Sequence, residues 1–377
     1  MIVIFSNIEE LRKTEFKERE KKLKYAIPQK IIYNPKSKKT LNITYVMTWT
    51  EVCGGSKIIL QHANKLTHLG HNITLISHYP KPTWFPLDKR IHFIQVPWDK
   101  VLCKSIPQCD IIIATYWREI YECVEQKIAP VVYFEQGDFH LFDLDKLDKR
   151  TYNYISKQLK AVKFIYTVST FAKEKLNEIY NVEASVIPNA VDSDIFFYMP
   201  HKKNLKPTIT IIGSENSDFK RISNILQAIK IIKNKGYEVE LNWITPDTPS
   251  IPFGNTIINP DQHIIGDVLR SSDIFICASV YEAFCLPVLE AMTCGATVIT
   301  TNNGGNMDFV QNNDNALLVE KDNIKDLVEK IELLLVDSVL RNKIAINGVE
   351  TSKQFSWDKT IDQIVQYYKR IANYDVL

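Results

Sequence analysis

Two glutamates, Glu282 and Glu290, stand eight residues apart in the stretch DIFICASVYEAFCLPVLEAMTCGATVITTNNGG, residues 273–305. A carboxylate accepts two hydrogen bonds from a vicinal diol, the group that a ribose or a hexose presents. The backbone between the two reads as the start of a helix, where unpaired N–H groups and a partial positive charge make a natural seat for a phosphate. Two carboxylates around a phosphate seat suit a nucleotide sugar, with Glu290 on the ribose and Glu282 on the transferred sugar. In isolation such a pair is better read as two solvated helix-end charges, so the case rests on the residues around them.

Those residues set up the elements that would hold the pair. Ile274 to Ala278 is a short apolar run of strand type, and Ser279 to Phe284 is a polar and aromatic loop. Pro287 suits the first turn of a helix, where its missing N–H costs nothing. That helix turns Val288, Leu289, Ala291 and Met292 inward and ends at Gly295. Thr297 to Thr300 is the next strand, and Gly304-Gly305 turns the chain into another helix.

The string YEAFCLPVLEAMTCG followed by NNGG resembles the Glu-x7-Glu signature of the retaining glycosyltransferases of family four, which have GT-B architecture. That pattern runs roughly S-x-x-E-x-F-G-x-x-x-x-E-A-x-A-x-G, then a Gly-Gly turn. Ser279, Glu282, Phe284, Glu290, Ala291, Gly295, Gly304 and Gly305 fall into register, while Cys285 stands where Gly is usual and Thr293 where Ala is frequent. The resemblance covers about residues 42–375. It implies an α/β chain of two doubly wound, Rossmann-like domains facing each other across a cleft. It also implies transfer of a sugar from a nucleoside diphosphate-sugar to an acceptor hydroxyl with retention of configuration. The UDP-sugar is then substrate, with no cofactor and no bound metal, and Phe284, Cys285 and Leu286 lie with Glu290 on the donor.

Further motifs follow the same resemblance. Strand Ile43–Met47 leads through a loop to Gly54-Gly55 and a helix that Ser56 would cap, ending near Leu69. The resemblance carries an approach to the donor diphosphate to Gly54 and Gly55. The spacing G-x-G-x-x-G of dinucleotide enzymes is missing there, which counts against a nicotinamide oxidoreductase. After strand Val131–Phe134 the family has a His, whereas this chain has Glu135-Gln136 and its nearest His at 140. Glu135 then serves a sugar hydroxyl or the acceptor, or is a satisfied loop carboxylate. Tyr116 and Trp117 read either as an aromatic sugar platform or as buried aromatics. VIPNAVDSDIF, residues 186–196, resembles the hinge-side motif, with Ala190 in place of its Gly.

In the second half, strand Thr208–Ile212 is followed by Gly213 and a helix from about Lys220 to Asn234. The family grips the diphosphate with Gly-Arg and then Lys-Gly. Gly213 and Lys220 match, Ser214 stands in the Arg place, and Arg221 either substitutes for it or is a surface charge. FSWDKTIDQIVQYYKRI, residues 355–371, resembles the closing helix that returns to the first domain. The expected division is a charged extension 1–41, a first domain 42–200 completed by 356–377, and a donor domain 201–355, with a linker near 198–207.

Composition bounds the alternatives. The 377 residues carry a net charge of +2, too little for a dedicated nucleic-acid binder. Residues 1–40 hold eleven Lys/Arg against five Glu, read as a solvated charged helix over 6–24 and an irregular stretch to Thr40. Seven cysteines without a Cys-x-x-Cys pair or a metal-ligand spacing read as reduced thiols, with no metal site. No apolar run reaches spanning length, and Met1–Phe5 is too short for a signal peptide. The expected location is the cytoplasm, with contact to the inner face of the membrane and self-association both left open. The acceptor is expected to be a glycan, a lipid-linked glycan or a protein. Two rival readings share the fold: a non-catalytic subunit partnering an active transferase, and a sugar-nucleotide epimerase.

Overall fold

Runs such as Ile111–Ala114 and Ile274–Cys277 are apolar at every position, and a strand of that kind needs cover on both faces. Both are buried throughout. The structure, a computed structural model, describes residues 2–36, 38–200 and 206–377. It divides into two units: residues up to 168 with 172–187 and 361–377, and residues 169–171 with 188–360. Of the expected linker, residues 201–205 lie outside the described residues.

The chain enters through helix α1 (Ile2–Leu23) and strand β1 (Ile31–Tyr33). The first doubly wound segment then runs β2 (Asn42–Val46), α2 (Gly54–His68), β3 (Asn72–Ser77), β4 (His92–Gln95), β5 (Ile111–Ala114), α3 (Ile120–Glu125) and β6 (Val131–Glu135). It continues with α4 (Phe139–Phe142), α5 (Lys149–Lys160), β7 (Phe164–Thr167), α6 (Thr170–Tyr180) and β8 (Ser185–Val186). The strands form one parallel sheet in the order β4-β3-β2-β5-β6-β7-β8. The order reverses between β2 and β5, and ligands of such sheets bind beyond the C-terminal strand ends at that switch point. The segments 47–53, 115–116 and 136–138 leave the C-terminal ends of β2, β5 and β6.

α1 is not a detached, solvated helix. Its Leu23 is buried in the first core, Phe16 stacks on Tyr154 at 4.6 Å, and buried Arg19 reaches Glu122 at 3.0 Å and Glu119 at 3.3 Å. The stretch expected to be irregular up to Thr40 contains β1. It pairs antiparallel with the last strand of the chain, register Ile31 to Val376.

The second unit runs β9 (Thr208–Ile212), α7 (Ile222–Asn234), β10 (Glu240–Thr245), β11 (Asn255–Ile258), α8 (Gln262–Arg270) and β12 (Ile274–Cys277). Then come α9 (Leu286–Cys294), β13 (Thr297–Thr301), β14 (Leu317–Val319), α10 (Ile324–Val336) and α11 (Ser338–Ser352). Its sheet is also parallel, order β11-β10-β9-β12-β13-β14, with the switch point between β9 and β12. Its core joins Ile211, Ile225, Ile229, Ile232, Trp243, Ile276 and Ile331. β14 ends the segment NNDNALLV, residues 312–319, and pairs parallel with β13. The chain closes with α12 (Trp357–Ile371) and β15 (Tyr374–Val376). From Ile361 onward it belongs to the first unit, where the Tyr368 hydroxyl meets those of Tyr45 at 3.1 Å and Tyr166 at 2.8 Å. Among the described residues no helix is long and apolar enough to cross a membrane.

Candidate active site

The loops that follow β9 and β12, the two strands at the second switch point, are tied together before any ligand is considered. Val280 N–H donates to the Phe219 carbonyl at 2.7 Å, and the Phe219 and Tyr281 rings stack at 4.9 Å, 10° from parallel. This brings Lys220 Nζ to 2.5 Å from Glu282 Oε1, and the same oxygen accepts from Ser279 Oγ at 2.8 Å. Burial works against the ammonium, but the Glu282 carboxylate outweighs it, helped by the two nearby thiols, and Lys220 titrates above an ordinary lysine. The pair is neither sealed nor free, at 20% and 15% side-chain exposure, so each partner can still exchange its contact.

A third loop holds Glu282 from behind. Its N–H donates to the Asn303 carbonyl at 3.0 Å and its carbonyl accepts from Gly305 N at 3.1 Å. Gly304 and Gly305 are needed for this approach. A Cβ on Gly305 would lie 2.4 Å from the Ala283 carbonyl carbon, and one on Gly304, already at φ +86, would lie 2.3 Å from the Phe171 ring. The expected helix after Gly305 is a single 3-10 turn, Gly305–Asp308. Asn303 and Asn306 brace it by reciprocal side-chain to backbone bonds of 3.2 and 3.1 Å.

α9 begins at Leu286 with Pro287 in its first turn and no side chain capping it, so its leading N–H groups keep no side-chain acceptor. The residue at the cap is Cys285, in left-handed backbone at φ 70, where the family has Gly. Its sulfur lies 3.6 Å from Cys277 and accepts from Asn303 Nδ2 at 3.4 Å. Cys285 hydrogen-bonds Cys277 and draws that thiol below the ordinary range against the cost of burial, while burial pushes Cys285 up. Cys277, Glu282 and Cys285 each offer a ligand atom within 4.8 Å of the others. The sequence spacing had shown no such group, because the sulfurs meet only when β12 and the α9 cap fold together. Phe284 packs into an aromatic cluster with Phe309 and Phe355, 5.4 and 5.9 Å between centroids, and so shapes the loop from inside. Leu286 is half-buried, and Glu290 is buried within α9 at 7% exposure.

Other expected site residues are held elsewhere. Arg221 stands in left-handed backbone at φ 52, and its guanidinium grips Asp322 at 2.6 and 3.3 Å while donating to the Asp218 carbonyl at 2.8 Å. The helix expected from Lys220 therefore starts at Ile222, after a 3-10 turn over Asp218–Lys220. Ser214, in the place of the family's Arg, donates to Asp247 at 2.5 Å. The carbonyl of Gly213 accepts from buried Trp243 Nε1 at 2.9 Å.

In the first unit, Gly54 and Gly55 form the first turn of α2 rather than a turn before it. The cap is Cys53, whose sulfur accepts from Ser56 N at 3.3 Å, not Ser56. Gln136 Nε2 donates to the Gly55 carbonyl at 3.3 Å, tying the loop after β6 to that turn. Glu135 is 2% exposed and faces inward. It accepts from Tyr133 Oη and Gly137 N, each at 2.7 Å, with His140 Nε2 3.1 Å away. It braces its loop instead of presenting itself to a ligand. Tyr116 Oη and Trp117 Nε1 both donate to Asp138 Oδ2, at 2.9 and 3.1 Å, and Trp117 is buried, so this pair makes no open platform.

Residues 257–351 match the family described as glycosyl transferases group 1. An uncharacterised glycosyltransferase of Methanocaldococcus jannaschii is 27% identical over 231 residues, 55% of this chain and 60% of that protein, short of two thirds of its length. Among solved structures, sucrose-phosphate synthase from Thermosynechococcus elongatus aligns with TM-score 0.73 at 16% identity, covering 88% of this chain and 99% of that one. HepE of Anabaena in complex with UDP-glucose aligns with TM-score 0.71 at 13% identity, over 86% and 98%. Residues 257–351 thus match the glycosyl transferases group 1, and the two parallel α/β units have the GT-B fold of these solved structures.

Proposed function

We propose that the protein transfers a sugar from a nucleoside diphosphate-sugar to an acceptor hydroxyl, with retention of configuration and without a bound metal, in glycan or glycoconjugate biosynthesis. The observation that carries this reading is the Lys220–Glu282 pair, set 2.5 Å apart by two loops at the switch point, beside the uncapped start of α9. A departing diphosphate needs its growing negative charge met by preorganised donors. Lys220 keeps its charge throughout the neutral range, and the leading N–H groups of α9 add the helix-end field. Arg221, already paired with Asp322, is discounted as the second phosphate cation.

The ion pair also sets an order of events. As the donor enters, its diphosphate competes for the Lys220 ammonium, and Glu282 turns its freed oxygen to hydroxyls of the transferred sugar. Glu290, further along α9, takes the ribose. Retention follows from attack on the face the diphosphate leaves, with the leaving phosphate taking the acceptor proton. A UDP-sugar is the proposed donor, in line with the UDP-glucose complex of HepE. The acceptor is a glycan, a lipid-linked glycan or a protein.

Thermal unfolding with UDP, GDP, ADP and dTDP, in wild type and Glu290→Ala, tests the donor site. A ligand at a hundred times its dissociation constant adds about 2.7 kcal/mol. Stabilisation by one nucleotide and its loss in the variant is the expected result. A chain that no nucleotide stabilises would be the non-catalytic subunit. Conversion of the donor to an epimer or a free glycal, with no new glycosidic bond, would make it an epimerase.

A further inference from the structure

Cys277 and Cys285 sit in surroundings unlike those of an ordinary buried thiol pair. Their sulfurs are 3.6 Å apart. Two sulfurs on one tetrahedral zinc, each about 2.3 Å from the metal, lie about 3.8 Å apart, so the pair already stands at a chelating distance. A disulfide would instead have to draw the sulfurs in to about 2.0 Å. The third ligand is Glu282, whose carboxylate comes within 4.8 Å of both sulfurs. Outer groups are in place as well. Asn303 Nδ2 points its N–H at the Cys285 sulfur at 3.4 Å, and Ser279 Oγ bridges Cys277 at 3.3 Å and Glu282 at 2.8 Å. Such outer-shell bonds orient metal ligands and hold their charge. The chain also tolerates backbone strain to put a sulfur here, because Cys285 occupies a left-handed position that glycine takes at no steric cost.

We propose that Cys277, Cys285 and Glu282 form a binding site for a thiophilic divalent cation of the zinc class, filled at the expense of the Lys220–Glu282 ion pair. The exchange balances simply. The cation takes two sulfurs and one carboxylate oxygen, up to two thiol protons leave to solvent, and the Lys220 ammonium gives up Glu282. Lys220 and the cation are both positive and claim the same carboxylate, so they exclude one another. A filled site removes Lys220 and Glu282 from any diphosphate-sugar, making the cation an inhibitor. This consequence rests on the donor site proposed above, whereas the binding itself does not. Cys103 and Cys123 provide the internal control. Their sulfurs are as close, at 3.5 Å, but they lie in the apolar core of the first unit and outside any three-ligand group among the described residues.

The test is titration of the reduced, tag-free full chain with Co2+, following the near-ultraviolet thiolate-to-cobalt charge-transfer band and the visible bands of tetrahedral cobalt, then displacement by Zn2+. One equivalent with a thiolate band is expected. Cys285→Gly, which suits the backbone and keeps the fold, and Cys277→Ser should each weaken binding by about 10–100-fold or more. Cys103→Ser should leave it unchanged, and Lys220→Met should tighten it. No thiolate band in wild type, an unchanged band in Cys285→Gly, or weaker binding in Lys220→Met would each overturn the proposal. Nucleotide stabilisation separates the two readings. If cobalt binds but no nucleotide stabilises the chain, the donor site fails and the cation site stands. If a nucleotide stabilises the chain equally with and without Zn2+, the inhibitory exchange fails.

Discussion

Glu282 and Glu135 are near-counterparts, each a carboxylate where a buried parallel strand gives way to a loop close to its sheet's switch point. Their partners differ. Glu282 meets a lysine delivered by another loop, 62 residues away, and both side chains keep some exposure. Glu135 takes its partners from two residues on either side of it, Tyr133 and Gly137, with His140 beyond, and is sealed. A carboxylate whose partner can be exchanged for a ligand is available for chemistry. One whose oxygens are satisfied by its own loop is a brace, because opening it would leave buried donors unpaired.

That contrast can be broken most decisively from the Glu282 side. Glu282→Ala and Lys220→Met are each expected to lower transfer by about 100- to 1000-fold, the usual cost of removing a preorganised group from a developing charge. The melting temperature should change little, because the pair is partly exposed. Kinetics with the identified donor and acceptor decide it, and full activity in Glu282→Ala would sink the transferase reading.

Glu135→Leu should reverse the pattern. Losing the acceptor for a buried Tyr133 hydroxyl and the Gly137 N–H costs about 1–3 kcal/mol, read as a lower urea midpoint, with transfer per folded molecule little changed. A large loss of rate at unchanged stability would place Glu135 on the sugar and erase the distinction between the two carboxylates.

Arg221→Ala is expected to have the smallest effect. Its pair with Asp322 is at the surface, so stability should move by no more than about 1 kcal/mol and nucleotide stabilisation should stay close to wild type. Loss of nucleotide binding in this variant would mean that the guanidinium leaves Asp322 for the donor. Lys220 would then share the diphosphate.

Much of this was readable in the chain. The alternation of strands and helices was clear because strands buried on both faces, such as IIIA at 111–114 and IFIC at 274–277, are continuous apolar runs. The Glu-x7-Glu string singled out Glu282 and the family pattern singled out Lys220, the two side chains that the fold sets side by side. Short elements with distant partners were not readable. β1 is three residues long and finds its partner at the other end of the chain. The cap of α2 moved from Ser56 to Cys53 because a sulfur served as the acceptor, which capping preferences do not foresee.

By itself, then, the sequence determined what acts over a few residues: the parallel α/β class, the glycine turns that admit a close backbone approach, and which residue types stand at the motif positions. Only the tertiary structure decided what each of them does. It bound Arg221 to Asp322 across 101 residues, sealed Glu135, set Lys220 against Glu282, and brought two sulfurs together under α9. The reason is physical. A side chain's chemistry is set by the groups within hydrogen-bonding reach and by the water left around it, and non-local packing chooses both.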